Sequence, residues 1–235
     1  MPGIARNLLS LITPAFWRQH IAGWRARRFD EKHGIETGVV VPVAEIHDVD
    51  PVLASHAVHY EPSTLPKFER AMQAVAIEHG RFTFVDYGSG KGRVLLLAAQ
   101  YPFRRVIGVE MSAALNAAAT ANIEAFRRRR PLSARIELVT GDARDLPVPD
   151  GGLVVYLYNP FDATILREVW DQLRASIRNE PRPLFVIYVN PLHRQVFDAA
   201  AELDCVHEEP AVVVYQCRNS GRTAAASRPA PAKGE

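Results

Sequence analysis

Apolar and polar positions alternate in blocks along this chain, and from residue 65 to residue 218 the blocks predict strands and helices in turn. Short apolar runs bounded by polar or glycine positions are typical of buried strands, and longer stretches with apolar residues at helical spacing separate them. Predicted strands cover about 82–86, 105–110, 135–139, 152–158 and 184–189. Predicted helices cover about 65–78, 92–100, 112–129, 162–177 and 193–203. This alternation is typical of an α/β domain built on a parallel sheet.

Two further strands, about 205–208 and 211–218, are joined tightly at Glu209-Pro210 and predict a hairpin that ends the domain. Residues 219–235 are rich in alanine, proline and small polar residues, which predicts a disordered tail. Residues 1–59 predict an α-helical N-terminal extension, in which residues 34–58 are irregular with one short strand. The main domain is therefore expected at residues 60–218.

The start of the extension is apolar from Leu8 to Trp17 and then basic. Pro14 interrupts the apolar run, which is too short for a membrane span and unlike a secretory signal. Residues 8–28 predict an amphipathic helix with two alternative roles. It either packs on the main domain as a lid or dimer element, which we favour, or rests on an anionic membrane surface.

Composition and charge indicate what kind of protein this is and which partners it is expected to bind. In the 235 residues, 48% are hydrophobic and 23% charged, which suits a soluble protein with a full core. The net charge is only +2, so the electrostatic field of the whole protein does not favour binding to nucleic acid. The run Arg127 to Arg130 is expected to be a solvated surface. Cys205 and Cys217 are expected to be buried free thiols in a reducing compartment, which indicates the cytoplasm. His56 and His59 lack further ligands at metal-site spacing, so no metal is expected.

The chemistry of the chain is concentrated between Phe82 and Glu110. The first predicted strand ends at Asp86, the glycine loop Gly88-Ser89-Gly90-Lys91-Gly92 follows, and the second strand ends at Glu110. Glycines permit positive φ angles and a close approach of backbone to ligand, and the helix after the loop offers unpaired N–H groups. An acid at the tip of the second strand suits the two hydroxyls of a ribose. This unit predicts a site for an adenosine-containing cofactor.

Three cofactor classes compete for such a loop. A nucleotide-triphosphate loop needs the pattern GxxxxGK[ST], which this stretch lacks. A dinucleotide site usually has GxGxxG, but here Arg93 stands in place of the third glycine, where helix and strand pack closely. Asp86 before the loop instead favours a cationic cofactor without a phosphate.

The motifs VDYGSGKGR and GVE, followed by Gly141-Asp142-Ala143 and Tyr158-Asn159-Pro160-Phe161, resemble those of class I S-adenosylmethionine-dependent methyltransferases. The resemblance covers about residues 60–218. Within the class, DYGSGKGR is most similar to protein-lysine methyltransferases of the Dot1 and ATP-synthase c-subunit types. The resemblance implies S-adenosyl-L-methionine as cofactor. It also implies a Rossmann-like sheet of seven mostly parallel strands in the order 3-2-1-4-5-7-6, with helices on both faces.

The resemblance also assigns cofactor contacts. Glu110 would accept from the ribose hydroxyls, Gly88 and Gly90 would turn under the methionine part, and Asp142 and Ala143 would bind the adenine. Asp86 would organise the loop or accept from the cofactor's ammonium. The whole predicted set is Tyr60, Ser63, Asp86, Gly88, Ser89, Gly90, Lys91, Arg93, Glu110, Asp142, Ala143, Asn159 and Pro160.

Several of these positions also have a structural alternative, which for Glu110 is a plain surface acid. Ser63 could equally cap a helix. Asp86 could face a helix N-terminus, and Asp142 could close an Asx turn. Lys91 and Arg93 could meet the cofactor carboxylate, an acidic substrate or only water. Asn122 is expected to be a polar helix residue without a site role.

The stretch Tyr158 to Phe161 resembles the [DN]PP[YF] signature of amine methyltransferases but lacks one proline. By resemblance, Asn159 would orient an acceptor amine, and Phe161 or Tyr158 would shelter its charge by cation–π contact. The alternative is an Asn-Pro turn that begins a helix, and Asn190-Pro191 repeats that pattern.

The expected function is N-methylation of a protein lysine or another amine. Alternatives are a methyltransferase acting on RNA or a small molecule, and a binding module that senses the cofactor without turnover. The low net charge disfavours nucleic acid as the partner, and no general base is evident in the sequence.

Overall fold

The computed structural model of the chain describes residues 27–57 and 63–218. Tyr60, the predicted tail and all but the last two residues of the predicted amphipathic helix lie outside this part. Among the residues described, there is no helix with the length and hydropathy that crossing a bilayer requires.

One sheet of seven strands forms the centre of the molecule, in the order β3-β2-β1-β4-β5-β7-β6. Strands β1 to β5 are parallel, and β7 lies antiparallel between β5 and β6. The order and the class are those expected from the resemblance. The strands are β1 Phe82–Tyr87, β2 Arg105–Glu110, β3 Ile136–Thr140, β4 Gly152–Tyr158, β5 Leu184–Val189, β6 Leu203–Glu209 and β7 Val212–Cys217.

The central strands are buried on both faces, which explains their continuous apolar runs. Successive side chains of a strand point to opposite faces. Val85 and Tyr87 accordingly pack in one core with Trp170 and Phe197, whereas Phe84 packs on the other side with Phe68. Helices therefore cover both faces of the sheet.

Within residues 27–57 and 63–218, six α-helices have defined ends. They are α1 Pro51–His56, α2 Leu65–Ala74, α3 Arg93–Ala98, α4 Ala113–Arg127, α5 Ala163–Asn179 and α6 Gln195–Asp198. The backbone is also helical at residues 27–33. Ser112 and Asp162 cap α4 and α5 by accepting backbone N–H groups, as their positions before apolar periodic stretches suggest.

Three predictions about secondary structure were wrong. The predicted helix 193–203 shortens to α6, because Leu203 already pairs with Cys217 in the hairpin. The predicted helix 65–78 ends at Ala74. Helix α1 was missed within the predicted irregular segment, although Asp50 caps it and Pro51 occupies its first turn.

The two cysteines differ in environment. Cys217 is buried on β7, as expected, but Cys205 on β6 is exposed. Strand β6 is the edge of the sheet, so its outward-facing side chains reach solvent.

Candidate cofactor and acceptor site

A cleft opens where β1, β2 and β4 end. Asp86 and Gly88 line it from β1 and its loop, Glu110 lines it from β2, and Pro160 and Phe161 line it after β4. In open parallel sheets, ligands bind in such a crevice at the carboxyl ends of strands. The fold therefore brings the residues singled out in the sequence into one place.

Most other predicted site residues line the same cleft, namely Ser63, Ser89, Arg93, Asp142 and Ala143. Gly90, Lys91 and Asn159 do not line it, although each is close in sequence to a residue that does. Tyr60 lies outside the described residues. Residues 27–57, which we call the N-terminal segment, add Ile46, Leu53, His56 and Ala57 to the lining.

The glycine loop is held tightly against the loop after β4. Gly88 has a φ of 78°, and a Cβ at this position would lie 2.6 Å from Cβ of Pro160. Gly92 has a φ of 81° and caps α3 in the left-handed conformation. These two positions require glycine, because a side chain would be strained at both and would collide with Pro160 at the first.

Glu110 ties the glycine loop to β2. The side chain is 7% exposed; its Oε2 accepts from the N–H of Gly90 at 2.8 Å, and its Oε1 accepts from the N–H of Ser112 at 3.0 Å. Burial raises the pKa of Glu110, and these backbone donors oppose the rise. Each carboxylate oxygen keeps capacity for another donor.

Asp86 is a buried carboxylate with no hydrogen-bond donor among the described residues. It is 3% exposed and lines the cleft. Burial and the nearby charge of Glu110 raise its pKa well above the usual range. Two buried acids at one end of a cleft create a site that a cation would stabilise, so these residues fit a cofactor with a sulfonium and an ammonium group.

Asp142 closes a turn through Arg144. Its Oδ1 accepts from the N–H of Arg144 at 2.8 Å, and both oxygens accept from the guanidinium of the same residue. These bonds lower the pKa of Asp142. The Asx-turn alternative is thus present, and Ala143 begins the short 3₁₀ helix Ala143–Asp145 beside the cleft.

The cations of the glycine loop contact the N-terminal segment. Arg93 is 3% exposed, pairs with Asp30 at 3.3 Å, donates to Thr37 Oγ1 at 2.9 Å and lies over the ring of Phe29. Lys91 pairs with Glu36 at 3.2 Å. The segment is therefore fastened directly to the cofactor loop by charge.

Asn122 was wrongly predicted to have no particular role. Its Oδ1 accepts from the N–H of Glu36 at 2.8 Å, and its amide donates to the carbonyls of Glu36 and Lys91. Asp48 makes a similar link by accepting from the Ser112 hydroxyl and the Ala114 N–H. These links hold the N-terminal segment over the carboxyl edge of the sheet.

The loop after β4 has a strained backbone. Asn159 is 2% exposed with a φ of 43°, a conformation that asparagine tolerates better than most residues. Its Oδ1 accepts from the Tyr188 hydroxyl at 3.0 Å. The turn directs Phe161 and Pro160, rather than the Asn159 side chain, into the cleft lining.

Ser63 joins the cleft to the core. Its hydroxyl lies 2.7 Å from that of Tyr156, and its side chain does not cap α2, whose cap residue is Thr64. Next to it, Lys67 Nζ lies 5.1 Å from the ring centroid of Tyr158 and 3.3 Å from its hydroxyl. Tyr158 also lines the cleft.

His56 is a cleft residue whose role the sequence did not reveal. Its Nδ1 lies 2.7 Å from Oδ2 of Asp162, and its carbonyl accepts from the Asp162 N–H at 2.9 Å. Ala57 and Phe161 form an antiparallel bridge beside this pair. The only available signal was Asp162 as a helix cap after an Asn-Pro turn, which gives no partner.

Comparison with known proteins identifies one matching family model and several solved structures of similar fold. Residues 84–179 match a family model described as a methyltransferase domain, and a search of curated proteins finds no match. A ribosomal protein L11 methylase from Lactobacillus delbrueckii subsp. bulgaricus has a TM-score of 0.50 at 15% identity, covering 77% of this chain and 99% of that chain. At this identity, the likeness shows the fold alone.

Two further solved structures are similar. An RNA methyltransferase from Salinibacter ruber in complex with S-adenosyl-L-homocysteine is 19% identical, with a TM-score of 0.44, over 68% of this chain and 94% of that chain. A magnesium protoporphyrin IX methyltransferase from Synechocystis PCC 6803 with bound S-adenosylmethionine is 14% identical, with a TM-score of 0.45, over 64% and 76%.

Proposed function

We propose that this chain transfers a methyl group to a nitrogen atom, with a protein lysine as the favoured acceptor. The chain belongs to the class I S-adenosylmethionine-dependent methyltransferases. S-adenosylmethionine is its cofactor and supplies a methyl group on a sulfonium, which a nucleophile displaces in line. Alignment of nucleophile and methyl carbon supplies most of the rate in such a displacement. The protein therefore has to hold two molecules in one cleft.

The cofactor end of the cleft is proposed to comprise the loop after β1 and the acid that ends β2. Glu110 retains acceptor capacity for the ribose hydroxyls, and Asp86 would accept from the ammonium of the methionine part. Asp142 and Ala143 would border the adenine. The support for these roles is the burial of both acids beside the same glycine loop.

The acceptor end is proposed to lie at the aromatic wall of Tyr158 and Phe161. The observation that carries this proposal is the lysine ammonium of Lys67, which already lies against the Tyr158 ring. An aromatic face that holds one alkylammonium suits another by cation–π attraction. Asn159 would orient the acceptor indirectly, because its buried side chain is held by the Tyr188 hydroxyl and fixes the turn that presents Phe161 to the cleft.

The test is transfer of radiolabelled methyl groups to fractionated cell lysate. We expect label in protein, recovered as methyllysine after acid hydrolysis, and no label with Glu110→Ala. Label confined to RNA or to small molecules would overturn the nitrogen-protein proposal. Tight cofactor binding without label in any fraction would favour a sensing module.

A matched pair of variants tests the aromatic wall. Phe161→Leu keeps an apolar side chain but removes the π face, and should slow transfer to an amine by about 3- to 30-fold, the range of a cation–π contact. Phe161→Tyr keeps the face and should retain most of the rate. Equal losses in both would contradict the proposed role of the ring.

A further inference from the structure

We propose that His56, oriented by Asp162, is the general base that removes the proton from the methyl acceptor. This inference rests on the proposed function of the cleft, because it assigns a role at the acceptor end. It goes beyond that proposal in naming a catalytic residue and a positioning residue that the cofactor motifs do not contain.

The dyad is held by the docking of α1 on the loop after β4. Asp162 uses its two carboxylate oxygens separately: Oδ2 bonds to His56 Nδ1, whereas Oδ1 accepts from the N–H groups of Thr164 and Ile165 at the start of α5. The Asp162 N–H donates back to the His56 carbonyl. Three separate bonds therefore fix the carboxylate before any substrate enters.

This arrangement determines the tautomer of the neutral imidazole. A carboxylate at Nδ1 requires a proton there, so the lone pair of the neutral ring is on Nε2. The ring lines the cleft, and Nε2 has no hydrogen-bond partner among the described residues. His56 is thus a base with one nitrogen anchored and the other available.

Other titratable or charged groups of the cleft either lie at the glycine loop or are already paired. Asp86 and Glu110 lie at the glycine loop, Asp142 is neutralised by Arg144, and Arg93 pairs with Asp30. Tyr158 contacts Lys67. Among the described residues, only Asp162 has a hydrogen bond to the His56 ring. Lys67 contacts Tyr158 without lining the cleft, so His56 is the basic side chain that lines the cleft beside the aromatic wall.

The proposed step moves one proton and one methyl group. An acceptor ammonium passes one proton to Nε2 of His56, which becomes an imidazolium stabilised by Asp162. The freed nitrogen lone pair then forms the bond to the methyl carbon, while the electron pair of the carbon–sulfur bond returns to sulfur. The products are a methylammonium, the imidazolium and a neutral thioether, and the imidazolium loses its proton to solvent.

Two variants separate this role from folding. His56→Asn can still donate to Asp162 but has no titratable nitrogen. Asp162→Asn keeps the oxygen that caps α5 but presents an amide to Nδ1, which moves the ring proton to Nε2 and removes the base. Both should lower the rate of methyl transfer to labelled lysate acceptors by about 100- to 10,000-fold. His47→Asn, an exposed histidine of the same segment, is the matched control and should retain the wild-type rate.

Two readouts distinguish catalysis from positioning. One ionisation of the wild-type pH–rate profile should disappear in His56→Asn, whereas calorimetric affinity for S-adenosylhomocysteine should stay within twofold. Nitrogen NMR of the unliganded wild-type protein should show His56 protonated at Nδ1 when neutral, and Asp162→Asn should shift that proton to Nε2. A wild-type ring protonated at Nε2, or an unchanged pH profile in His56→Asn, would overturn the proposal.

The outcome is separable from that of the proposed function. If the labelled acceptor is RNA or a small molecule, the nitrogen-protein proposal fails, but the two variants still report on His56 with that acceptor. If no acceptor takes label, the NMR tautomer alone decides whether the ring is poised as a base.

Discussion

The proposed cofactor end of the cleft comes mostly from one continuous stretch, with Asp142 and Ala143 added after β3, whereas the proposed acceptor end is assembled from three separate stretches. Asp86 is on β1, the glycine loop follows β1, and Glu110 ends β2, the next strand along the chain, which pairs directly with β1. The proposed acceptor end combines His56 from the N-terminal segment with Tyr158 to Asp162 after β4. We add Ser63 before α2, which the sequence assigned to the cofactor, because its hydroxyl lies against that of Tyr156 on β4. The geometry of the first end is set mostly within one local stretch, whereas that of the second end depends on how distant parts of the chain pack together.

The N-terminal segment is what connects the two ends. It meets the cofactor loop through Asp30 and Glu36, the start of α4 through Asp48, and the start of α5 through His56. Weakening this segment should therefore damage the acceptor end more than the cofactor end. Variants that alter one end at a time test that asymmetry.

Asp30→Ala should produce the largest effect. Asp30 is 8% exposed and accepts from Arg93, from the Thr37 hydroxyl and from the N–H groups of Thr37 and Gly38. Removing it leaves the buried Arg93 without this counter-ion, which should lower the free energy of unfolding by about 3–5 kcal/mol. Urea denaturation measures the loss, and Glu31→Ala, at the exposed neighbouring position, is the control.

Asp30→Ala also allows methyl transfer to be compared with cofactor affinity, which report on the acceptor end and the cofactor end. At temperatures where Asp30→Ala remains folded, methyl transfer should fall more than affinity for S-adenosylhomocysteine. An equal fall in both quantities would show that the ends do not depend differently on the segment.

Glu110→Gln should weaken the cofactor end alone. The amide cannot accept from both Gly90 and Ser112, and it loses the charge that the ribose hydroxyls would bond to. We expect affinity for S-adenosylmethionine to fall about 10- to 100-fold, the value of one hydrogen bond to a charged group. Calorimetry measures it, with Glu124→Gln on the exposed face of α4 as control.

Unchanged affinity in Glu110→Gln would contradict the proposed ribose contact. A change in the His56 tautomer in this variant would contradict the independence of the two ends, since Glu110 does not bond to the dyad.

The sequence predicted most residues that line the glycine-loop end of the cleft but missed His56 beside the aromatic wall, for a physical reason. Apolar runs identify the strands, and an acid that ends each of two adjacent parallel strands must lie at the same edge. By contrast, His56 and Asp162 are 106 positions apart and meet only because α1 docks on the loop after β4. The hydrogen-bonding role of Asn122 was missed for the same reason. Its partners are backbone groups of Glu36 and Lys91, and no sequence spacing connects these residues to Asn122.

Asp86→Asn tests the charge of the cofactor end. Burial and Glu110 raise the pKa of Asp86 in the folded protein, so the folded state binds its proton more tightly than the unfolded state. The stability of the unliganded protein should therefore fall as the pH rises from the unfolded pKa through the folded one. The asparagine side chain cannot ionise, so the stability of the variant should not fall over this pH range. Above the folded pKa of Asp86, the variant should be more stable than wild type.

Asp86→Asn should weaken cofactor binding, although it should stabilise the unliganded protein. The ionised carboxylate favours the cationic cofactor, so Asp86→Asn should bind it roughly 10-fold more weakly at neutral pH. Wild-type affinity should also weaken as acid protonates Asp86. Thermal melts and calorimetry across pH measure both effects, and a variant that binds as tightly as wild type would exclude Asp86 from the cofactor site.

Ser63→Ala should have the smallest effect and sharpens the description of the acceptor end. The Ser63 hydroxyl is the bonding partner of the Tyr156 hydroxyl, which is buried on β4. Its loss leaves that hydroxyl unsatisfied and should cost about 1 kcal/mol in the free energy of unfolding. Thr64→Ala, whose side chain makes no capping bond, should change stability by less than about 0.5 kcal/mol. If Thr64→Ala proved the more harmful, Ser63 would not be what anchors the acceptor end to the core, and α2 itself would hold that side of the cleft.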